Sequence, residues 1–231
     1  MLPPIIAFDL DGTLVDTAPD LIDTLNAVFA DKGVPPVAYD EAREMIGGGV
    51  KVLLKRGLAA QEIAFTPSDL DGLYSIYLDR YAAHIADRSR PFPGLLEALD
   101  LLESQGFRFA VCTNKLEWLS VRLLDALDLS HRFDAICGQD TFGIAKPDPE
   151  MLRQTILRAG GDPARALMVG DSATDINTAK AAGIPVIAVD FGYTETPVNL
   201  LGPDRVISHF DELPQVVHEL LSAPDRQRPV G

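Results

Sequence analysis

Pro4-Ile5-Ile6-Ala7-Phe8-Asp9-Leu10-Asp11-Gly12-Thr13 is the stretch whose reading decides the fold. Its apolar part, Ile5 to Phe8, is too short for a helix and is closed off by Pro4 and Asp9. A short continuous apolar run of this kind suits a strand buried on both faces. Similar runs recur at Phe107–Cys112, Ala135–Cys137, Ala166–Val169 and Val186–Val189, with a weaker one at Arg205–Ile207. Amphipathic stretches separate them. Leu95, Leu96, Leu99 and Leu102 line one, and Leu116, Leu119, Leu123, Leu124 and Leu127 line the next. Helices alternating with buried strands predict an α/β fold with a doubly wound, Rossmann-like parallel sheet covered on both faces.

Between Thr17 and Arg90 this alternation stops, and no convincing strand is found. Asp16 or Thr17 can cap a helix with Pro19 in its first turn, and Leu21, Ile22, Leu25, Val28 and Phe29 then share a face. Thr66 can cap another, with Pro67 at its first position and Leu70, Leu73, Tyr74, Tyr77, Leu78 and Tyr81 at helical spacing. Shorter helical pieces are expected around Asp40–Ile46 and Val50–Arg56. The division expected is therefore a core domain of residues 1–16 and 91–231, interrupted by a helical domain of residues 17–90. Asp16–Pro19 and Arg90–Gly94 would be its linkers, and the terminal APDRQRPVG is expected to fray.

Composition narrows the partners. Across 231 residues, 20 basic and 34 acidic side chains leave a net charge of −14. Such a charge repels phosphate backbones and anionic lipid heads, so neither nucleic acid nor a membrane is an expected partner. The N-terminal MLPPIIAFD has no basic region and meets acid at Asp9, unlike a signal peptide. No run reaches the roughly 18 apolar residues of a membrane span. The expected location is the cytoplasm, and Cys112 and Cys137, both in strand-like runs, are expected to be buried reduced thiols. Oligomeric state is not readable from these features.

Ligands of open α/β sheets bind beyond the carboxyl ends of the strands. Those ends read Asp9-Leu10-Asp11-Gly12, Thr113-Asn114-Lys115, Lys146-Pro147-Asp148-Pro149 in the loop after the third strand, and Gly170-Asp171-Ser172-Ala173-Thr174-Asp175. Each block alone has a structural reading. Asp11-Gly12 suits a turn, Lys146 a solvated loop ammonium that supports little core, and Thr113, Asp171 or Asp175 a helix cap. Together they set four carboxylates, a hydroxyl and an ammonium around one site. Four ionised carboxylates need a cation among them, and oxygen ligands without His or Cys suit a hard ion such as Mg²⁺ with a phosphate oxygen. An aspartate beside such an ion can attack phosphorus, and a second carboxyl can act as acid and then base.

FDLDGTLVDT, CTNK, AKPDP and GDSATD, in that order, resemble the four motifs of the haloacid dehalogenase superfamily of Mg²⁺-dependent phosphohydrolases, and the resemblance covers nearly the whole chain. It implies an inserted α-helical cap of the C1 type. It also implies Asp9 as nucleophile, Asp11 as acid and then base, and Thr113, Asn114 and Lys146 around the phosphoryl group. The Asp9 side chain, the Asp11 backbone carbonyl and Asp171 would hold Mg²⁺, with Asp175 orienting a metal-bound water or Lys146. Gly47-Gly48-Gly49 would present backbone N–H groups to an anionic substrate, with Arg43 or Lys51 as possible carboxylate partners, or else form a flexible break between helices. Trp118 is expected in a core or cap contact without a cofactor role, and His84, His131, His209 and His218 in solvent.

Within the superfamily the chain is most similar to phosphoglycolate phosphatases, through FDLDGTLVDTAPDL, the triple glycine, FGYTET and ISHFDEL. That implies a small phosphorylated metabolite, 2-phosphoglycolate, as substrate. Rivals on the same core are a phosphatase for another sugar or sugar acid, a pyrophosphatase and a phosphosugar mutase. A dehalogenase has no need of Asp11. A binding protein on the same fold is expected to have lost one of Asp9, Asp11, Lys146 or Asp171, and all four are present.

Overall fold

The computed structural model describes residues 2–194 and 196–222. In chain order its elements are β1 (Ile5–Phe8), β2 (Val15–Asp16), α1 (Ala18–Ala30), α2 (Tyr39–Glu44), α3 (Val50–Ala60), α4 (Pro67–Ala83), β3 (Arg90–Pro91), α5 (Leu95–Ser104), β4 (Arg108–Cys112), α6 (Glu117–Ala126), β5 (Ala135–Cys137), α7 (Pro149–Arg158), β6 (Ala166–Gly170), α8 (Ala173–Ala182), β7 (Val186–Val189), β8 (Arg205–Ile207) and α9 (Leu213–Ser222). The fraying expected of APDRQRPVG lies outside the described residues.

Six strands form one parallel sheet in the order β5-β4-β1-β6-β7-β8. β1 lies at its centre, between β4 and β6, and all four of its residues are fully buried. The period of two along the strands then decides which layer each side chain joins. Ile6, Phe8, Phe109, Val111, Leu167 and Val169 face one apolar cluster, with Leu99 and Leu102 of α5, Leu119 and Leu123 of α6, and Val217 of α9. Ile5, Ala7, Ala110, Cys112 and Met168 face the other, with Met151 and Ile156 of α7 and Ile176 of α8. Helices on both faces explain why the strands read as continuous apolar runs. Leu96, expected on the buried stripe of α5, is exposed. Cys112 and Cys137 are buried, unpaired thiols on neighbouring strands, and burial pushes Cys112 up to about 12.

The helices α1–α4 occupy the break after the first strand. Leu21, Leu25 and Phe29 of α1, Leu54 and Leu58 of α3, and Tyr77 and Tyr81 of α4 pack in the same cluster as the first face of the sheet. α4 starts at a capping box in which the Thr66 hydroxyl accepts from Asp69 N–H while the Asp69 carboxylate accepts from Thr66 N–H. Its buried face is Leu70, Leu73, Tyr77 and Tyr81.

The two linker segments carry short strands that the sequence does not announce. β2 and β3 pair antiparallel, Val15 with Pro91 and Asp16 with Arg90. Two residues per strand are too few to show alternation. Thr17 stands at the N-cap of α1 without capping it, and its hydroxyl instead donates to Asp11 Oδ1 at 2.7 Å.

Just beyond the ladder, the buried Asp20 carboxylate accepts from Arg88 N–H at 3.0 and 3.1 Å, Ser89 N–H at 2.8 Å and the Ser89 hydroxyl at 2.6 Å. It ties the start of α1 to the returning chain. In Asp20→Ala those donors lose a charged acceptor in a dry place, and a loss of about 2–4 kcal/mol in unfolding free energy is expected from urea titration. A loss below about 0.5 kcal/mol contradicts this account of the junction.

Candidate active site

Three neighbouring strands of the sheet end at one cleft. Asp9 follows β1, Thr113, Asn114 and Lys115 follow β4, and Asp171 follows β6, while Lys146 comes from the loop between β5 and α7. The enclosed space of the cleft is small, about 40 Å³. Asp9, Asp11, Thr113, Asn114 and Lys115 line it from the sheet side. Leu21, Ile46, Gly47, Gly49, Val50 and Leu53 line it from the helical side.

Its floor is a buried ionic cluster. Lys146 Nζ lies 2.9 Å from Asp9 Oδ1 and 2.6 Å from Asp175 Oδ1, and the Lys146 side chain is 1% exposed. Burial alone disfavours the ammonium, but the charges of Asp175 and Asp9 override it and hold Lys146 well above the usual lysine range. Asp175 Oδ2 accepts from Asp171 N–H, Ser172 N–H and the Ser172 hydroxyl, so the same carboxylate closes the first turn of α8. Asp171 takes the Thr13 hydroxyl at 3.1 Å and Tyr193 N–H at 2.7 Å. Two glycines make room for it. Gly12 has φ +86°, and a Cβ there would lie 2.5 Å from Asp171 Oδ2; one at Gly192 would lie 2.2 Å from Asp171 Cβ.

Lys146 is enclosed by Asp9 and Asp175, which excludes the solvated-loop alternative. The Asp11 carboxylate is held by Lys115 Nζ at 3.0 Å and by the Thr17 hydroxyl, apart from the cluster of Asp9, Asp171 and Asp175; the resemblance assigns its backbone carbonyl, not its carboxylate, to the ion. Asn114 lines the cleft, and its side chain bridges to the Lys146 backbone. Its Nδ2 donates to Lys146 C=O at 3.1 Å and its Oδ1 accepts from Lys146 N–H at 2.9 Å. Gly47 and Gly49 line the cleft but Gly48 does not: it is exposed, and a Cβ there would meet Val52. Trp118 is 46% exposed at the start of α6 and so is not a core residue. Arg43 donates to Phe191 C=O and lies over the Tyr193 ring, while Lys51 pairs with Asp71. Thr113 is buried at the cleft, and its oxygen accepts from Lys115 N–H. The four histidines are exposed.

Two residues at the site were not singled out from the sequence. Lys115 is 7% exposed and binds both Asp11 and the Tyr81 hydroxyl. Its place directly after Thr113-Asn114 at a strand end was the available signal. Tyr193 sends its N–H to Asp171, accepts from Ala18 N–H at 3.0 Å, and donates its hydroxyl to Asp16. Only the fold brings it there, from the loop after β7.

The cluster fits a hard divalent cation. Asp9, Asp171 and Asp175 each offer a buried carboxylate oxygen, all within 4.8 Å of one another. Burial, with Asp175 and Asp11 adding negative charge, raises Asp9 to about 6 despite the opposing pull of Lys146. Burial, with Asp175 and Asp9, raises Asp171 to about 8. One ammonium does not neutralise this set, and oxygen-only donors favour Mg²⁺-class ions over soft metals.

Residues 6–189 match the family model described as haloacid dehalogenase-like hydrolase. A phosphoglycolate phosphatase of Mesorhizobium japonicum is 53% identical over 215 residues, covering 92% of this chain and 94% of that protein. One of Caulobacter vibrioides is 46% identical, covering 94% and 92%. The crystal structure of a predicted phosphoglycolate phosphatase from Haemophilus somnus 129pt superposes with a TM-score of 0.86 at 29% identity, over 92% of this chain and 97% of that one. CbbY of Rhodobacter sphaeroides in complex with phosphate gives a TM-score of 0.76 at 28% identity, over 91% and 96%.

The raised acids set a pH dependence. A carboxyl raised on folding contributes stability at low pH that is lost as pH climbs, here through about 6 for Asp9 and about 8 for Asp171. A bound cation requires the ionised acids and reverses that loss. The increase in Tm on adding a saturating divalent cation is therefore expected to grow between about pH 5.5 and about pH 8.5. A gain that stays flat or shrinks over that range contradicts this reading of the cluster.

Proposed function

The chain belongs to the haloacid dehalogenase-like hydrolases, and on that premise we propose that it hydrolyses 2-phosphoglycolate to glycolate and phosphate through an aspartyl phosphate on Asp9. The observation that carries this reading is that Asp9 and Asp11 line one cleft with separate partners: Lys146 on Asp9, Lys115 and Thr17 on Asp11. Two carboxyl groups in different surroundings can take different roles.

Asp9 Oδ1 is held by Lys146 and by Leu10 N–H at 2.7 Å, which fixes the carboxylate for attack on phosphorus. The P–O bond to the leaving alcohol breaks as the Asp9–P bond forms, and Asp11 delivers a proton to the leaving oxygen. Asp11, now a base, takes a proton from water as that water attacks the aspartyl phosphate. Phosphate leaves and Asp9 is restored. Thr113 supplies a hydroxyl, and Lys146 an ammonium, to the transferring group. The Asp9 and Asp171 carboxylates, with the Asp11 backbone carbonyl, would hold Mg²⁺, which when bound neutralises charge on the phosphoryl oxygens. Asp175 holds Lys146 in place.

Residues 17–90 act in this reading as a cap domain over a core of residues 1–16 and 91–231. Its apolar wall of Leu21, Ile46, Val50 and Leu53 leaves room for a short leaving group only and keeps stray water from the intermediate. The phosphoglycolate phosphatases among the relatives support the substrate, and the absence of any described helix long and apolar enough to cross a membrane fits the cytoplasm as the site of reaction.

The test is a panel of phosphomonoesters, pyrophosphate and a phosphosugar with added divalent cation, ranked by kcat/KM. 2-Phosphoglycolate is expected first, and a sugar phosphate or pyrophosphate in first place overturns the substrate. Asp9→Asn is expected to leave only background turnover and no label on protein from a ³²P-labelled substrate; stoichiometric labelling of that variant removes Asp9 as nucleophile.

Lys146→Ala is expected to lower kcat by about 10²–10³-fold. It also strands Asp9 and Asp175 as an unpaired buried pair, so about 3–5 kcal/mol of stability should be lost in chelator. A variant with near-normal kcat and unchanged denaturant midpoint refutes the assignment.

A further inference from the structure

Two lysines stand near the cleft and are used differently. Lys146 Nζ sits between Asp9 and Asp175, beside the carboxylate that takes the phosphoryl group in the proposed reaction. Lys115 lines the cleft, and among the described residues that line it there is no other Lys or Arg. Arg43 and Lys51, the cations nearest the triple glycine in sequence, are committed to Phe191 with Tyr193 and to Asp71, outside the cleft.

Lys115 is held from both sides. Its Nζ lies 3.0 and 3.2 Å from the two oxygens of Asp11 and 2.9 Å from the Tyr81 hydroxyl, with the ring centre 4.5 Å away. Tyr81 belongs to α4 and is fully buried, so the ammonium is fixed jointly by the sheet side and the helical side. An ammonium carries three N–H donors. The two Asp11 oxygens and the Tyr81 hydroxyl take these donors, so a carboxylate arriving at Asp11 meets the ammonium by sharing its Asp11 contact, beside a wall of Leu21, Ile46, Val50 and Leu53 that offers no acceptor side chain.

We propose that Lys115 is the specificity-determining residue that recognises a carboxylate on the leaving alcohol, and so selects phosphomonoesters whose acid group sits on the carbon next to the ester oxygen. This rests on the proposed hydrolysis, in which Asp11 meets the leaving oxygen. In 2-phosphoglycolate the acid carbon is two bonds from that oxygen, about 2.5 Å away at bond lengths near 1.5 Å. A group hydrogen-bonded to Asp11 therefore brings its acid to the ammonium that touches the same Asp11 carboxylate. The apolar wall strengthens that ion contact by excluding water, and gives an uncharged leaving group no comparable partner.

The experiment compares 2-phosphoglycolate with its neutral amide, 2-phosphoglycolamide, in the unaltered protein, in Lys115→Met and in Lys115→Arg, with circular dichroism melting of each. The unaltered protein is expected to favour the acid over the amide in kcat/KM. In Lys115→Met that preference is expected to fall by about 30-fold or more, chiefly through KM for the acid. The amide should lose only the smaller factor that comes from the altered surroundings of Asp11. Lys115→Arg should keep most of the preference. If acid and amide decline by the same factor in Lys115→Met, Lys115 acts through Asp11 alone and the proposal is overturned. Should Lys115→Met not fold, Lys115→Gln replaces it with the same two outcomes. An unaltered protein that turns over the amide as well as the acid overturns the substrate reading itself; a preference that survives loss of the ammonium overturns this inference only.

Discussion

The site depends on one buried cation. Lys146 places a single positive charge between Asp9 and Asp175, and the carboxylate of Asp171 lies within 4.8 Å of both acids. Without that charge the strand ends would crowd acids into a dry pocket against their own repulsion. With it, Asp9 is oriented and Asp175 is locked to the first turn of α8, which in turn fixes the backbone of Asp171. Asn114 then clasps the Lys146 backbone through both ends of its amide, so the strand β4 sets the height of the lysine. A loop residue thus owes its position to three separate strand ends.

The sheet was legible because it is buried on both faces. Four fully buried residues between Pro4 and Asp9 can only be a short interior strand, and each later strand repeats that signature. The acids were legible because parallel strands all deliver their following residues to the same edge. What the sequence did not show are contacts made by rotamer or by distant chain. Nothing local says that Asp11 turns away from Asp9 to meet Lys115, or that Asn114 faces Lys146. Gly48 carries the same signal as its neighbours Gly47 and Gly49, yet only the neighbours reach the cleft, because the chain turns there and sets Gly48 against Val52. Trp118 reads as a core or cap contact, but α6 buries Leu119, Leu123 and Leu124 and leaves the preceding position 46% exposed.

In the proposed reaction, recognition and chemistry share residues. Asp11 is joined to α4 through Lys115 and Tyr81, and to the linker through Thr17. Asp171 is joined to the same linker through Tyr193, whose hydroxyl meets Asp16 and Ala18 and whose ring carries Arg43 from α2. Both acids are therefore tied to the short segment from Asp16 to Ala18, and Asp11 reaches α4 separately through Lys115.

The pairing of β2 with β3 places the way out of the sheet beside the way back, Asp16 opposite Arg90. The closure entropy of a long excursion grows only slowly with its length, and here its two ends are already pinned by hydrogen bonds and by Asp20. To the rest of the chain, the whole helical excursion is topologically no more than a turn. Its helices nonetheless share the apolar cluster of the sheet's first face, so the excursion is fastened to the sheet by packing as well as at its two ends.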